Sequence, residues 1–414
     1  MVKNYLIVLL SVLNFSTFFA QATDDKTKYI DPTIGNVSRF LVPTYPTIHL
    51  PNQMLRMFPV KKDYISDMVQ GFPLQVTAHR RPGILQMKVA SGKVKPNLWK
   101  KGMPIDHDLE RVHPWLYSTY LIEDDIKVSF TPSKKSAIYK FEFPQGKQKN
   151  ILMNGSKNMR FDSKNTSFNI VEKRSKKTKG EYAAENITTI YVYGEIVDKD
   201  NAPTKSVKYI YNNSKLQISA PKNASSTLYL KYAISYISPK QAKENFNKEI
   251  SKNTFDEVSK AGKKEWEKVS NQIQVEGGTT AQKRTFYTAL YRTYERMVNI
   301  NEYGQYYSGY DKKVHKSKRP FYVDDWVWDT YLAQHPLRTI LNPPMENDML
   351  NSYTLMYEQS GWMPTFPQVF GNHLCMNSYH SSAIFVDGYK KGLKNYNVEK
   401  AYEGIKKNLL EGTF

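Results

Sequence analysis

The sequence predicts a multi-domain β + α protein, an antiparallel β-sandwich followed by an all-α domain, on three observations. From about Tyr29 to Ile237, apolar and polar residues alternate with period two between turn residues. From Ser238 onward the apolar spacing becomes helical, and at Thr279 a helix-capping pattern opens a further helical run.

The elements follow in chain order. Residues 1–22 read as a signal peptide: Lys3 is a positive n-region, Tyr5 to Phe19 an apolar stretch too short to span a membrane, and Ala20-Gln21-Ala22 a small-x-small cleavage pattern. Residues 23–237 form the sandwich. Its clearest strands are IKVSFTP (Ile126 to Pro132), AIYKFEFPQG (Ala137 to Gly146), TTIYVYGEI (Thr188 to Ile196), VKYIYNNS (Val207 to Ser214) and STLYLKYAIS (Ser226 to Ser235). Each alternates β-branched or aromatic residues with polar ones, as a strand with one buried face requires. The charged run EKRSKKTKGE (Glu172 to Glu181) between two of these segments reads as a solvated loop.

Residues 238–278 form a helical linker in which Phe255, Val258, Ala261 or Gly262, and Trp266 make one apolar stripe, followed by the short strand-like IQVEGG. Thr279 with Gln282 three residues on fits a capping box, and the helix it opens carries Phe286, Leu290, Tyr294 and Met297 on one side. The α domain, residues 279–414, has room for about four or five helices. The last, NVEKAYEGIKKNLLEGTF, presents Tyr402, Ile405 and Leu409 or Leu410 as its apolar face.

Composition limits the function. Forty per cent apolar residues over 414 supply real cores, and 13% aromatics suit strands or surfaces that grip flat-faced ligands. The net charge of +20 admits an anionic polymer or nucleic acid, but the lysines are dispersed, and export to the periplasm or the exterior argues against nucleic acid. The single cysteine, Cys375, excludes an intramolecular disulfide framework and a Cys-cluster metal site, and reads as a small buried apolar residue. No later segment approaches a transmembrane length.

Several strings in order along the chain resemble glycoside hydrolase family 92, the exo-acting α-mannosidases. They are YIDPTIG (Tyr29 to Gly35), HDLERVHPWLYSTYLIEDDIKVSFTPSKKSAIYKFEFP (His107 to Pro144), ISYISPKQAKENFNKEI, VEGGTTAQKRTFYTALYRT, YYSGYDKKVH, WVWDTYLAQHPL, YEQSGWMPTFP and CMNSYHSSAIFVDGYKKGL. The resemblance implies a β-sandwich followed by an (α/α)6 toroid, removal of terminal α-linked mannose with inversion, mannose-containing glycans as partners, and a calcium ion that grips the sugar. It also implies that the toroid is incomplete here, because the family's catalytic acid, base aspartates and most calcium ligands lie beyond the last matching block. No catalytic residue or metal ligand is therefore assigned. The isolated chain is expected to be inactive and to associate through exposed helix faces; the alternative is a non-catalytic carbohydrate-binding or remnant protein. The family's Trp-containing loop and His-rich rim stretch are not recognisable around Gly71 to Gly83.

The most chemically loaded stretch is YVDDWVWDTY (Tyr322 to Tyr331). With Asp324 or Asp325 as N-cap, a helix ending at His335 before Pro336 would put Asp325, Trp328, Asp329 and Leu332 on one face. Two like charges at i, i+4 are unfavourable unless they have partners, and sugar hydroxyls are such partners. The resemblance implies that Trp328 and Asp329 line the terminal-sugar subsite; without it, Trp328 reads as core and Asp329 as solvated. Trp326 reads as packing. Trp362, between Gly361 and Pro364, is a second aromatic wall or core filling. His380 is a further substrate contact or a structural histidine, and Asp387 is an acid inside the same helix.

Overall fold

The computed structural model of the chain describes residues 25–412 apart from 39–42, 63–64, 79–82, 165, 178–184, 205 and 374–378. The signal-peptide residues, Cys375 and residues 178–181 of the charged run lie outside the described residues.

Alternation becomes two antiparallel sheets. The eight-stranded sheet runs, edge to edge, Arg160–Lys164, Ser167–Lys177, Glu185–Val197, Thr227–Ser235, Ser136–Glu142, Ile126–Pro132, Leu116–Leu121 and Arg111–His113. The seven-stranded sheet runs Lys208–Asn212, Lys215–Ala220, Lys149–Asn154, Ile84–Ser91, Met68–Gln75 and Val60–Lys61, with Met103–Pro104 also on Met68–Gln75. Tyr117, Phe130, Tyr139, Phe141 and Tyr232 from the first sheet meet Phe72, Met87, Val89, Ile151 and Met153 from the second in one dry core. This is the one-face-buried packing that the period of two demands.

The strand Ile126–Pro132 coincides residue for residue with the predicted one. The charged run departs from its expectation. Glu172 to Lys177 continue the strand Ser167–Lys177, paired with Glu185 to Ile190, because a long hairpin gives their backbone a ladder that a loop would leave to water. Glu172 is fully buried and accepts from the Ser156 N–H at 2.9 Å.

Eight α-helices follow among the described residues: α1 Pro239–Glu249, α2 Phe255–Ser270, α3 Thr280–Thr293, α4 Val327–Thr330, α5 Gln334–Leu341, α6 Pro343–Ser360, α7 His380–Lys390 and α8 Val398–Glu411. α1 lies on the outer face of the eight-stranded sheet, so Ile138, Tyr193 and Ala233 are buried against Ala242 and Phe246. The α2 stripe forms as expected, and the Trp266 indole N–H donates to the His49 carbonyl at 2.8 Å. Segment 273–278 is not a strand. The capping box at Thr279 and Gln282 forms in both directions, but α3 stops at Thr293, so Met297 lies beyond it and Phe286 is only half-buried. Leu290 and Tyr294 are buried as expected, with Tyr287 and Tyr291 beside them in place of Phe286.

Two helix readings are corrected. The helix expected to begin at Asp324 or Asp325 and run to His335 is broken: α4 covers four residues, and α5 begins at Gln334 with Pro336 in its first turn. Proline is tolerated there because the first-turn N–H groups have no intrahelical acceptor, so Pro336 opens a helix rather than ending one.

In α8 most of the expected apolar face is outward, and only Ile405 packs half-buried against the core. Tyr402 is 66% exposed and Leu410 74%, while Ala401, Gly404 and Asn408 are buried. Small residues win the contact because α8 lies close against α6. A Cβ on Gly404 would come within 2.7 Å of the Tyr357 ring and 2.9 Å of Met363 Cε. Gly404→Ala would gain up to ~1 kcal/mol of helix propensity but overpack this contact by about 1–3 kcal/mol. A net loss of ~1 kcal/mol in urea unfolding is expected; a stabilised variant would show that α8 can move away freely.

Candidate functional site

The 322–331 stretch leaves a sheet, turns once and enters a single helical turn. Tyr322–Val323 pairs antiparallel with Val298–Asn299. Asp324 then takes φ +64°, a left-handed conformation that aspartate accepts more readily than most side chains. Its carboxylate is fully buried, paired with Arg56 Nη1 at 2.6 Å and accepting from the Gln368 amide at 3.2 Å.

Asp325 is also fully buried, and its N–H donates to the Pro367 carbonyl at 3.0 Å. One carboxylate oxygen accepts from the Trp326 N–H at 2.8 Å and the Thr330 hydroxyl at 2.9 Å. The other accepts from His335 Nε2 at 2.9 Å and from the Tyr353 hydroxyl. On its far side, His335 Nδ1 reaches Glu346 Oε1 at 2.7 Å, and Arg338 Nη1 stands 3.6 Å from the other Glu346 oxygen.

An imidazole between two carboxylates is a donor on both sides, so it carries both protons. Burial opposes that charge, but Glu346 and Asp325 outweigh it and hold the His335 pKa up at about 9. Burial likewise opposes the Asp325 charge, yet the His335 charge and the hydrogen bonds from His335, Tyr353 and Thr330 hold it down at about 2.

Asp325 therefore does not share a sugar-facing surface with Asp329. It anchors the start of α4 from below, and the like-charge conflict expected at i, i+4 does not arise. What α4 presents outward is Trp328, 53% exposed, and Asp329, with Leu332 just beyond at 74%. Trp326 packs as expected, 5.3 Å from the Phe366 ring with the Arg296 guanidinium 4.5 Å from its own.

His380 opens α7, which packs on α4, and its ring lies 4.2 Å from that of Tyr331. The structure thus joins His380 to the 326–331 segment. Its Nδ1 is buried without a hydrogen-bond partner among the described residues. Trp362 follows Gly361, whose φ of +79° closes α6 in the left-handed conformation that glycine adopts at helix ends. It is half-buried, and Lys407 Nζ of α8 sits 4.2 Å over its ring, so Trp362 is tied to α8. Asp387 pairs with Lys391 at 2.8 Å on the outer side of α7.

Sequence reasoning missed Arg56, His335, Glu346 and Tyr353. The only local signal was the pair of aspartates itself: two adjacent carboxylates between a strand and an aromatic turn need partners. Calcium requires six to eight oxygen ligands around one point. Among the described residues, no three His, Cys, Asp or Glu side chains form such a group. In the Asp325–His335–Glu346 cluster, the protonated imidazole separates the carboxylates and cannot itself coordinate.

The family model described as the glycosyl hydrolase family 92 N-terminal domain matches residues 29–244, and that of the family 92 catalytic domain matches 241–412. An inverting family GH92 mannosidase from Bacteroides thetaiotaomicron VPI-5482 superposes with a TM-score of 0.81 at 24% identity, over 93% of this chain and 55% of its own. A family GH92 α-mannosidase from Bacteroides thetaiotaomicron, solved with mannoimidazole, superposes with a TM-score of 0.78 at 20% identity, over 94% of this chain and 56% of its own. The chain spans about half the length of these structures, and at such identities the likeness carries the fold alone. No curated protein matches the sequence.

Proposed function

The chain belongs to glycosyl hydrolase family 92, and on that premise we propose that its 326–331 segment is one wall of a site for terminal α-linked mannose. The observation that carries the reading is the contrast inside one short segment. Asp324 and Asp325 are fully buried and paired, whereas the adjacent Trp328 and Asp329 face outward on a turn anchored from beneath. Anchoring fixes where an outward carboxylate and indole stand, and rigid placement lowers the ordering cost of holding a ligand.

In this reading Trp328 takes the C–H face of the sugar and Asp329 accepts from its hydroxyls in charge-assisted hydrogen bonds. His380, joined to the segment through Tyr331, is proposed as a further substrate contact. Trp362 stands apart, its ring engaged by Lys407, and is proposed as an outer wall only. Calcium and inversion are expectations of the family resemblance, and no step is derived through either.

No pair of carboxylates among the proposed site residues can divide acid and base roles, so 1–414 alone is proposed to bind mannose without hydrolysing it. The test is calorimetric titration with methyl α-mannoside alongside an aryl α-mannoside assay. Trp328→Ala and Asp329→Asn should each weaken binding roughly tenfold, about 1.4 kcal/mol. Because both side chains are exposed, Tm should move by under ~2 °C. Unchanged affinity in both variants sinks the wall, and mannose release by the purified chain sinks the non-hydrolytic reading.

A further inference from the structure

A second cleft lies elsewhere. It has a volume of about 560 Å³ and lies between the sandwich, the end of α1 and the segment between α3 and α4. It shares no lining residue with the 326–331 wall. Four of its lining residues are lysines, and none is an acid.

Lys135 forms the floor at 3% exposure, and Lys134, Lys248 and Lys318 are exposed at the rim. The ammonium groups of Lys135 and Lys248 both sit over the Tyr303 ring, at 4.6 and 4.3 Å from its centroid. Tyr303 is itself held at φ +60°, which is rare for a bulky residue and marks a backbone fixed by its surroundings.

The nearby acids neutralise this charge only in part. Glu249 is 4.0 Å from Lys135 Nζ, and its oxygens already accept from the Lys135 N–H at 2.9 Å, the Ser136 hydroxyl at 2.6 Å and the Tyr303 hydroxyl at 2.6 Å. Glu302 is buried, and burial pushes its pKa up to about 7 despite hydrogen bonds from Ser235, the Tyr236 N–H and Asn245, so it is only partly charged at neutral pH. Four ammonium groups thus face one committed carboxylate and a partial one. Burial holds the Lys135 pKa down, as it does for an ammonium lacking a full counter-charge. A second polar feature of the cleft is Gln53, which lines it and whose side-chain oxygen is buried without a partner among the described residues.

We propose that this cleft binds the sulfate or phosphate ester of an acidic saccharide, with Lys135 beneath the oxyanion, Lys134, Lys248 and Lys318 around it, and the Gln53 oxygen accepting from a ring hydroxyl. A volume of this size accommodates a sugar with its ester group. The chain's charge of +20 brings such anions to the surface. The cleft converts that general field into a place where one anion is held.

The test is calorimetric titration of the purified protein at low salt with a heparin-derived sulfated disaccharide, mannose 6-phosphate, inorganic sulfate and methyl α-mannoside. At least one of the charged saccharides should bind, and which one it is tells sulfate ester from phosphate ester. K134Q, K248Q and K318Q combined should weaken that binding at least tenfold. The matched exposed triple K157Q, K164Q and K208Q should change it less than twofold. Lys135→Gln should abolish it in a protein whose circular dichroism spectrum is unaltered; if that variant fails to fold, the rim triple decides. Failure of both charged saccharides to bind overturns the proposal, as does equal weakening in both triples. Inorganic sulfate binding as tightly as the saccharides overturns the saccharide assignment.

Discussion

Asp325→Ala is expected to lower folding stability by about 3–5 kcal/mol, the range for removing one partner of a buried ion pair. Tm should fall by roughly 5 °C or more. The loss is large because Asp325 serves four donors at once: the Trp326 N–H, Thr330, His335 and Tyr353. Alanine leaves three of them without their acceptor, while Thr330 keeps the Trp326 carbonyl at 3.2 Å. The same group predicts a pH dependence. His335 has its pKa raised from 6.5 to about 9, so its stabilisation is complete below pH 6.5 and is lost as pH climbs through 9. Asp325 has its pKa lowered from 3.8 to about 2, so its share is complete above pH 3.8 and is lost as pH falls through 2. At 1.36 kcal/mol per pKa unit, the alkaline loss is about 3 kcal/mol. Glu302 and Lys231 titrate near pH 7 and 8 and add slopes of their own, so the measurement is a difference between proteins. Urea unfolding of the wild type and of His335→Gln between pH 6 and 10 should converge as pH rises. Parallel curves would mean that His335 is not the group being titrated.

Much of this fold was legible in the chain because its signals are local. Alternation between turn residues is a property of neighbours, and so is a Thr-x-x-Gln cap; the strand Ile126–Pro132 and the start of α3 emerged where those patterns put them. The face of α8 was misread for a physical reason. Apolar content suggested that Tyr402, Ile405 and Leu409 or Leu410 face the core, but the distance between α6 and α8 is set by Gly404 against Tyr357, and small residues carry that approach with Ile405 only half-buried beside them. At the candidate site the sequence marked Trp328 and Asp329 but not their foundation. Asp325 meets Tyr353 across 28 positions, and Asp324 meets Arg56 across 268. No periodicity relates residues so far apart. Only the oddity of two adjacent aspartates beside tryptophans hinted that partners must exist.

The second large effect is expected at Arg56, which couples the sandwich to the site. Its guanidinium donates to the Val76 carbonyl at 3.3 Å, the Thr77 carbonyl at 2.6 Å and the Glu295 carbonyl just past α3 at 3.1 Å, besides Asp324 at 2.6 Å. One side chain thus satisfies strand, helix end and turn together. Arg56→Met keeps most of the volume and removes every donor, so about 3–5 kcal/mol should be lost, leaving Asp324 with the Gln368 amide alone. Asp324→Asn removes the orphaned charge while keeping a residue that tolerates φ +64°, so the double variant should be more stable than the sum of the two single losses, by about 1–3 kcal/mol. Strict additivity would mean that the two parts are held by packing, with this ion pair incidental. A positive coupling has a functional consequence as well. Asp324 precedes Asp325 directly, so a loosened turn shifts α4 and with it Trp328 and Asp329. Arg56→Met should then weaken mannose binding although it lies far along the chain from both, and restoring charge balance at 324 should restore part of that affinity together with part of the stability.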